Sequence, residues 1–403
     1  MSPFSASPTN LLKKSVTDAA VRGRRVLLRV DYNVPLTDQG TVADDHRIVE
    51  SLPTLHHLES AGARTILMSH LGRPEGRRDE RLSLRPVARR LSSLLGLPVP
   101  MVDDAVGIRA LEATARLKNG EFIMLENLRF HPGEEANDPA FAAQLAGLGE
   151  VFVEDAFGAV HRAHASTVGV PKRLPSFAGL LVEREIRELA RLVDRIDRPS
   201  AVILGGAKVF DKLPLLESFL GRADTLLIGG ALAFPFLRAQ GAQLGSSRVE
   251  AGLDEAVAAF LATAEQRSTK VVLPVDLVTE YPGQAEPVVT PSMEVGAHGV
   301  AQDIGPETQR NFLRALAGSR TVFWNGPLGR IEDPRFAEGS RAVLAGLADI
   351  PGYHVAAGGD SARALQDLGI SALAFQYVST GGGAALEFVQ GVELPGLAVL
   401  PNA

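Results

Sequence analysis

Ten short apolar runs, rich in β-branched residues, recur along the chain, and stretches with helical spacing separate most of them. They are RVLLRVDYNV (25–34), TILMSHL (65–71), FIMLEN (122–127), VFVEDA (151–156), AVILGG (201–206), TLLIGG (225–230), KVVLPVDLV (270–278), TVFWNG (321–326), YHVAAGG (353–359) and FQYVST (375–380). Continuous apolar runs of this length read as strands buried on both faces. Their alternation with helices predicts an α/β fold whose parallel sheets are covered by helices. Ten strands are many for one sheet, and 403 residues exceed one ordinary domain, so the strands are divided between two sheets. The divide falls at 175–199. There Val182, Ile186, Leu189, Val193 and Ile196 share one helical stripe, Glu183 and Arg187 stand i,i+4 on the other face, and Pro175 and Pro199 bracket the segment. It reads as a long helix connecting two domains, or as a surface helix within one.

The chain contains no cysteine, which excludes disulfides, thiolate catalysis and cysteine-ligated metal sites. No apolar run approaches the ~18 residues of a membrane span, and the N-terminal MSPFSASPTNLLKK lacks a signal-type apolar core. A cytoplasmic location is expected. The net charge of −6 argues against general nucleic-acid binding. Residues 1–180 hold 22 Lys and Arg against 21 Asp and Glu, the remainder 19 against 26, and seven of the nine His lie in the first part. An anionic ligand is better placed there, unless the asymmetry is compositional drift.

In open α/β sheets ligands bind beyond the carboxyl ends of strands, so each strand end is a candidate wall of a site. RVDYNVP (29–35) offers Asp31 and Asn33, which alternation puts on one side of the strand with Tyr32 opposite. DDHRIVE (44–50) offers Arg47 at the start of a helical stretch. SHLGRP (69–74) offers His70 and Arg73, LENLRFH (125–131) offers Arg129, and EDAFGAVHRAHAS (154–166) offers His161, Arg162 and His164. A guanidinium matches phosphate and carboxylate as a planar fork. One strand-end Arg is ordinarily a surface ion-pair partner, but four anion-binding strand ends in succession outline a pocket for a small polyanion. His161 and His164, spaced i,i+3, also admit a metal reading.

The second half has neither GxxxxGK[ST] nor GxGxxG, so neither a P-loop nor a standard dinucleotide site is signalled. Its strands end instead in glycine turns: GGAKVFDK (205–212), GGAL (229–232), WNGPLGRIED (324–333), AGGDSARAL (357–365) and STGGGAALEFV (379–389). Glycine there lets backbone N–H groups approach a ligand, and a helix N-terminus behind adds partial positive charge. The turns at 358–361 and 381–384 suit a polyphosphate. Asp360 beside phosphates would hold Mg²⁺, or else caps its helix; Ser361 is the better cap. Only seven of the 41 basic residues are Lys, yet Lys208 and Lys212 stand four apart after a Gly pair. They are compact charges for neighbouring phosphates, or a chance pairing in an Arg-rich composition.

With these motifs in hand, the chain resembles the phosphoglycerate kinase family along nearly its full length. RVDxNVP, SHLGRP, ENLRFH, DAFGxxHRAH, GGAKVxDK, LPVD, DIGPxT, WNGPxG, GGDS and STGGGAxLE stand in the family's order. The resemblance implies two Rossmann-like domains, each a mostly parallel sheet flanked by helices, joined by the connector helix and closing by a hinge. The domains would be 1–174, with 390–403 packing back onto it, and 200–389. The first would bind 3-phosphoglycerate or 1,3-bisphosphoglycerate through Asp31, Asn33, Arg47, His70, Arg73, Arg129 and Arg162. The second would bind ADP or ATP through Gly206, Lys208, Lys212, Asn325, Pro327, Glu332, Gly358, Gly359, Asp360 and Ser361, with Glu332 on the ribose and Asp360 on Mg²⁺. Arg47 and Lys208 would meet the phosphoryl group in transit, with Gly359 and Gly382 donating backbone N–H groups. Small molecules are the only partners implied, without nucleic acid or membrane, for a monomer. Departures from the family pattern are Ala231 for Gly, Gly299–Val300–Ala301–Gln302 for WMGL, Arg330 for Val, Ala357 for Gly, Tyr377 for His and Glu154 for Asn. The first two bear on the expected adenine pocket and put base selectivity in question.

The reaction implied needs no general base, since carboxylate and phosphate oxygens are already ionised; catalysis is positioning and charge neutralisation. Rival readings are a kinase for another small carboxylate or sugar acid, and a nucleotide-binding scaffold without turnover. An NAD dehydrogenase lacks its fingerprint.

Overall fold

The computed structural model describes residues 11–193 and 196–403. Residues 194 and 195 of the expected connector, and most of the N-terminal stretch, lie outside the described residues. The chain forms two compact units. One holds the described part of Met1–Ala190 together with Val392–Ala403; the other is Arg191–Gly391.

The first unit is built on a five-stranded parallel sheet. Its strands are Arg25–Arg29 (β1), Arg64–Met68 (β2), Phe122–Met124 (β3), Val151–Glu154 (β4) and Ser176–Ala178 (β5). They lie in the order β3-β2-β1-β4-β5, with β1 paired to β2 on one side and to β4 on the other. The chain therefore winds outward from β1 to β3 and then returns beside β1. In such a topology the loops leaving β1 and β4 part, and the place where ligands bind lies beyond their carboxyl ends. One face of this sheet packs a core that includes Val26, Leu28, Leu67, Met124 and Val153, all buried, against Leu55, Leu58 and Leu91 from the helices His46–Ser60 and Arg85–Leu95.

The second unit repeats the plan with six parallel strands in the order Tyr377–Val378, Tyr353–Ala356, Thr321–Asn325, Ser200–Leu204, Thr225–Ile228 and Lys270–Val272. Its switch of direction falls between Ser200–Leu204 and Thr321–Asn325, which pair in register from Thr321 opposite Ser200 to Asn325 opposite Leu204. A separate antiparallel sheet joins Asp276–Glu280 to Val288–Pro291 and to Val300–Ile304.

Three sequence expectations change. KVVLPVDLV is not one strand: Lys270–Val272 stays in the main sheet and Asp276–Glu280 leads the antiparallel one. Pro274 lies between the two pieces and cannot donate to a ladder. The connector helix is shorter than its bracketing prolines suggest, running from Leu180 to Val193, because Ser176–Ala178 pairs with β4 as the fifth strand. Asp155 fixes where it starts, its Oδ1 accepting from the Leu181 N–H at 3.0 Å. Val182, Ile186 and Leu189 are fully buried on its apolar stripe, and Arg187 donates to Glu183 on the wet face. Third, β1 ends at Arg29, so Asp31 and Asn33 are set by a turn and not by strand alternation. Tyr32 still points inward, fully buried with its hydroxyl 2.7 Å from Ser51 Oγ.

Trp324, the single tryptophan, is fully buried at the switch point of the second sheet, where its Nε1–H donates to the Gly326 carbonyl at 2.7 Å. Replacing it by Phe keeps most of the apolar packing but strands that carbonyl. The expected loss of stability is about 1–3 kcal/mol, read by urea denaturation with far-ultraviolet circular dichroism.

Candidate active site

In the first unit the site grows from the carboxyl ends of β1, β2 and β4. Arg29, the last residue of β1, is 1% exposed, an unusual position for a guanidinium. Its Nε donates to Ser166 Oγ at 2.8 Å, and its Nη2 lies 3.0 Å from His70 Nδ1. A guanidinium only donates, so Nδ1 of His70 is the acceptor. Burial holds the His70 pKa well below its ordinary value, more strongly than Asp31 raises it. The ring is therefore neutral at pH 7 with its proton on Nε2, the atom 4.0 Å from Asp31 Oδ1. Arg29 thus sets the tautomer of His70 and turns an N–H donor toward the crevice.

Arg47, in the first turn of the His46–Ser60 helix, donates to Asp31 Oδ2. Burial pushes the Asp31 carboxyl up, but Arg47, His70 and Arg29 more than offset it and hold the pKa at about 2. Asn33 Oδ1 accepts from the Gly72 N–H at 2.9 Å, tying the turn after β1 to the turn after β2. Arg129, 3% exposed, donates from Nη1 to the Gly72 carbonyl at 2.8 Å and lies 3.2 Å from Glu135. Burial, then the Arg162 and Arg29 charges, lower its pKa against the pull of Glu135. Arg162 donates from Nε to His161 Nε2 at 3.2 Å. Arg73 is exposed and makes no hydrogen bond or ion pair among the described residues. The structure thus brings Asp31, Arg47, His70 and Arg129 into one electrostatic cluster with Arg162 beside it, while Asn33 braces the loops and Arg73 stands free.

Sequence reasoning missed the support beneath this cluster. Glu134 is fully buried, accepts from the Ser166 N–H at 3.0 Å, and has its pKa raised by burial against the Arg29 charge. Glu154 is likewise buried and pushed well above the usual carboxylate range. The carboxyls nearest Arg29 are thus biased toward neutrality, which leaves the pocket cationic and suited to a polyanion. His164 faces Glu134 at 3.9 Å, and among the described residues no group of three or more His, Asp or Glu could hold a metal. The signal that could have found this support was Arg29 itself, a charge inside an apolar strand pattern.

In the second unit the glycine turns converge at the switch point. A Cβ on Gly205 would sit 2.0 Å from the Pro327 carbonyl oxygen, so only glycine lets these two strand ends approach. Lys212 donates from Nζ to the Gly205 carbonyl at 2.6 Å. Burial lowers its pKa to about 8, although the nearby Asp360 raises it. Lys208 is exposed at the N-cap of the Val209–Ser218 helix, without a hydrogen bond or ion pair among the described residues. The two lysines differ: one is anchored and desolvated, the other free. Asn325 is 3% exposed and donates from Nδ2 to the Ala357 carbonyl at 2.7 Å. Gly382 precedes the helix Gly383–Gln390 with φ of 54°.

Two expectations about capping are corrected. Ser361 does not cap its helix: it is fully buried, and its Oγ accepts from the Gly326 N–H at 2.9 Å, joining two strand ends. Asp360 does not cap either, because Gly358, at φ of 99°, occupies the cap position of Gly359–Asp367. Asp360 is exposed in the first turn and lines a cavity of 480 Å³ with Gly206, Pro327 and Glu332. Ala231, Ala301, Gln302 and Arg330, all departures from the family pattern, line the same cavity.

The comparisons with known proteins agree with the motifs. The model of the phosphoglycerate kinase family matches residues 16–392. The chain is 48% identical over 393 residues to a phosphoglycerate kinase of Pelotomaculum thermopropionicum, covering 97% of this chain and 99% of that protein. It is 48% identical to one from Salinispora arenicola, covering 95% and 97%. Among solved structures, the phosphoglycerate kinase of Coxiella burnetii superposes with a TM-score of 0.86 at 35% identity, over 96% of this chain and 98% of that one. That of Pyrococcus horikoshii does so with 0.83 at 34%, over 96% and 98%.

Two measurements check the electrostatics. Arg29→Met removes the buried donor to Ser166 Oγ and to His70 Nδ1 and leaves both acceptors without it; the expected cost at pH 7 is about 1–3 kcal/mol by denaturant unfolding. In the ligand-free protein the Lys212 amine, followed through its ¹³Cε shift after reductive methylation, titrates near pH 8. A midpoint at the ordinary lysine value would contradict the burial described.

Proposed function

The chain belongs to the phosphoglycerate kinase family, and from that premise we propose how its residues divide the work. The enzyme transfers a phosphoryl group reversibly between 1,3-bisphosphoglycerate and ADP, giving 3-phosphoglycerate and ATP in glycolysis and gluconeogenesis. One observation carries the assignment of roles. Both sheets end in anion-receptive groups at a switch point, one in arginines and the other in glycine turns around a lysine.

In our reading the glycerate substrate occupies the crevice of the first unit. Arg129 and Arg162 take its remote phosphate, joined by the unpaired Arg73. The Nε2–H of His70 and the Asn33 amide hold the hydroxyl and carboxylate end. Asp31 keeps Arg47 oriented while its low pKa keeps it ionised, so Arg47 faces the reacting oxygen as a fixed cation. In the second unit the nucleotide lies along the cavity, with Glu332 on the ribose and the Gly206, Gly358 and Gly359 backbone near the phosphates. Asn325 and Ser361 contribute by holding those turns together, and Pro327 by closing against Gly205. Lys212 is preset against the Gly205 carbonyl, and an arriving phosphate draws its amine toward the charged form. Lys208 and the Gly382 turn supply donors to the group being transferred.

Mg²⁺ fits this donor set. Asp360 offers one exposed carboxylate on the cavity wall, and Mg²⁺ is typically held by one or two carboxylates plus phosphate oxygens. Bound there, it would neutralise charge on the phosphate oxygens. The protein's own part is positioning. The acceptor is an ionised oxygen, so no proton has to be abstracted, and fixed cations offset the charge on the migrating phosphoryl. We take the enzyme to be a cytoplasmic monomer; light scattering tests the second half of that statement. Among the described residues no helix is long and apolar enough to cross a membrane.

Arg47→Ala is expected to lower kcat by about 10²–10³, with ADP affinity nearly unchanged. A coupled assay of ATP-dependent 3-phosphoglycerate phosphorylation, paired with calorimetric nucleotide binding, measures both. Wild-type turnover in this variant would remove Arg47 from the reaction. Asp360→Asn should raise the Mg²⁺ concentration needed for half-maximal rate and leave 3-phosphoglycerate binding intact.

A further inference from the structure

Three helices end at one side chain of the second unit. Arg222 stands in the turn after the Val209–Ser218 helix, where its N–H donates to the Phe219 carbonyl at 2.9 Å. Its guanidinium donates from Nη1 to the Ser218 carbonyl at 2.9 Å, and from Nη1 and Nη2 together to the Val389 carbonyl at 3.1 and 3.2 Å. Nη2 also donates to the Leu192 carbonyl. Ser218 closes the Val209–Ser218 helix, Val389 lies in the last turn of Gly383–Gln390, and Leu192 lies in the last turn of Leu180–Val193. All three carbonyls belong to the second unit. Carbonyls of a last turn have no helical N–H to take them, and the partial negative charge gathered there attracts a cation. Arg222 meets both needs at three helix ends with one planar group. Its Cζ lies 5.1 Å from the ring centroid of the fully buried Phe219, so the fork is seated on the core.

Two of these helices carry the site at their other ends. Val209–Ser218 begins directly after Lys208 and holds Lys212, and Gly383–Gln390 begins directly after Gly382. The two helices pack against each other. They have ten and eight residues, so their amino ends lie about 15 and about 12 Å from their carboxyl ends. A helix this short moves as a rod, and a shift at one end is carried to the other. The planar fork spans Ser218 and Val389 and so holds the two carboxyl ends at a fixed separation, with Leu192 as a third point that stops the pair from swinging. We propose that Arg222 is a positioning residue for phosphoryl transfer, which fixes the spacing between the Lys208 and Gly382 donors by clamping the far ends of their helices. The proposal rests on assigning those donors to the migrating phosphoryl group, as argued above.

The test is turnover in Arg222→Ala and Arg222→Lys, by the coupled assay of ATP-dependent 3-phosphoglycerate phosphorylation, scaled to the folded fraction read by circular dichroism. Arg222→Ala is expected to lower kcat about tenfold to a hundredfold, the scale on which a misplacement of about 1 Å far from the chemistry acts, while KM for 3-phosphoglycerate stays within about twofold. Arg222→Lys keeps the charge but loses the planar fork, so most of the loss should remain. Millimolar methylguanidinium returns a fork to the space left in Arg222→Ala and should recover kcat several-fold, whereas sodium chloride at equal ionic strength should not. Wild-type kcat per folded molecule in Arg222→Ala would overturn the proposal, since the residue would then serve stability alone. Wild-type kcat in Arg222→Lys would do the same, because charge without a fork would suffice. So would the absence of rescue by methylguanidinium. Failure of the underlying reading has a different signature: Lys208→Ala would then keep the wild-type kcat.

Discussion

Every strand of a parallel sheet delivers its carboxyl end to the same edge, and in each unit two adjacent strands send the chain in opposite directions. Everything chemical in this protein follows from that arrangement. β1 and β4 diverge in the first unit, Ser200–Leu204 and Thr321–Asn325 in the second, and the two candidate sites form where they part. The sheets need apolar faces to pack, so polar groups accumulate beyond the last paired residue. Arg29, Glu154 and Asn325 mark that boundary: each ends a strand, each is buried, and each turns a polar group toward its site or beneath it.

In the proposed reading the two sites would bind a polyanion by different means. The first uses side-chain charge and must manage its mutual repulsion. Burial lowers the pKa of Arg129, keeps His70 neutral, and drives Glu134 and Glu154 toward their protonated forms. Asp31, in contact with Arg47, is held firmly ionised. Such an arrangement is under electrostatic tension that an incoming anion relieves. The second site uses backbone. Its glycines let carbonyl and N–H groups from separate strands come within a distance that any Cβ would prevent, and its half-buried cation, Lys212, has its pKa lowered to about 8 by desolvation.

Much of this was legible in the sequence, and the part that was not shares one character. The ten runs located the strands of both main sheets except β5, a three-residue strand with too little length to show a period. Strand-end reading names Asp31, His70, Arg129 and Lys212, because a charge after an apolar run is conspicuous, and Arg47 comes from the start of a helical stretch. It failed where function passes through a third residue. Arg29 lies inside the apolar run and Glu134 in a four-residue helix, so neither stood out, although they set the state of His70 and the sign of the pocket. Its place beside a helix start reads Ser361 as a cap, but the hydroxyl accepts from the Gly326 N–H of the neighbouring strand end. The antiparallel sheet was missed because Pro274 divides a run that reads as continuous.

That small sheet separates two jobs. The glycine turns proposed to cradle phosphates belong to the six-stranded sheet, whereas Gln302 and Glu280 ride on the antiparallel strands. In the proposed reading a lineage can therefore redecorate the nucleoside side of the cavity in the second unit without disturbing the glycine turns beside it. Drift in cosubstrate preference should be evolutionarily cheap in this protein, and loss of phosphoryl transfer should be rare.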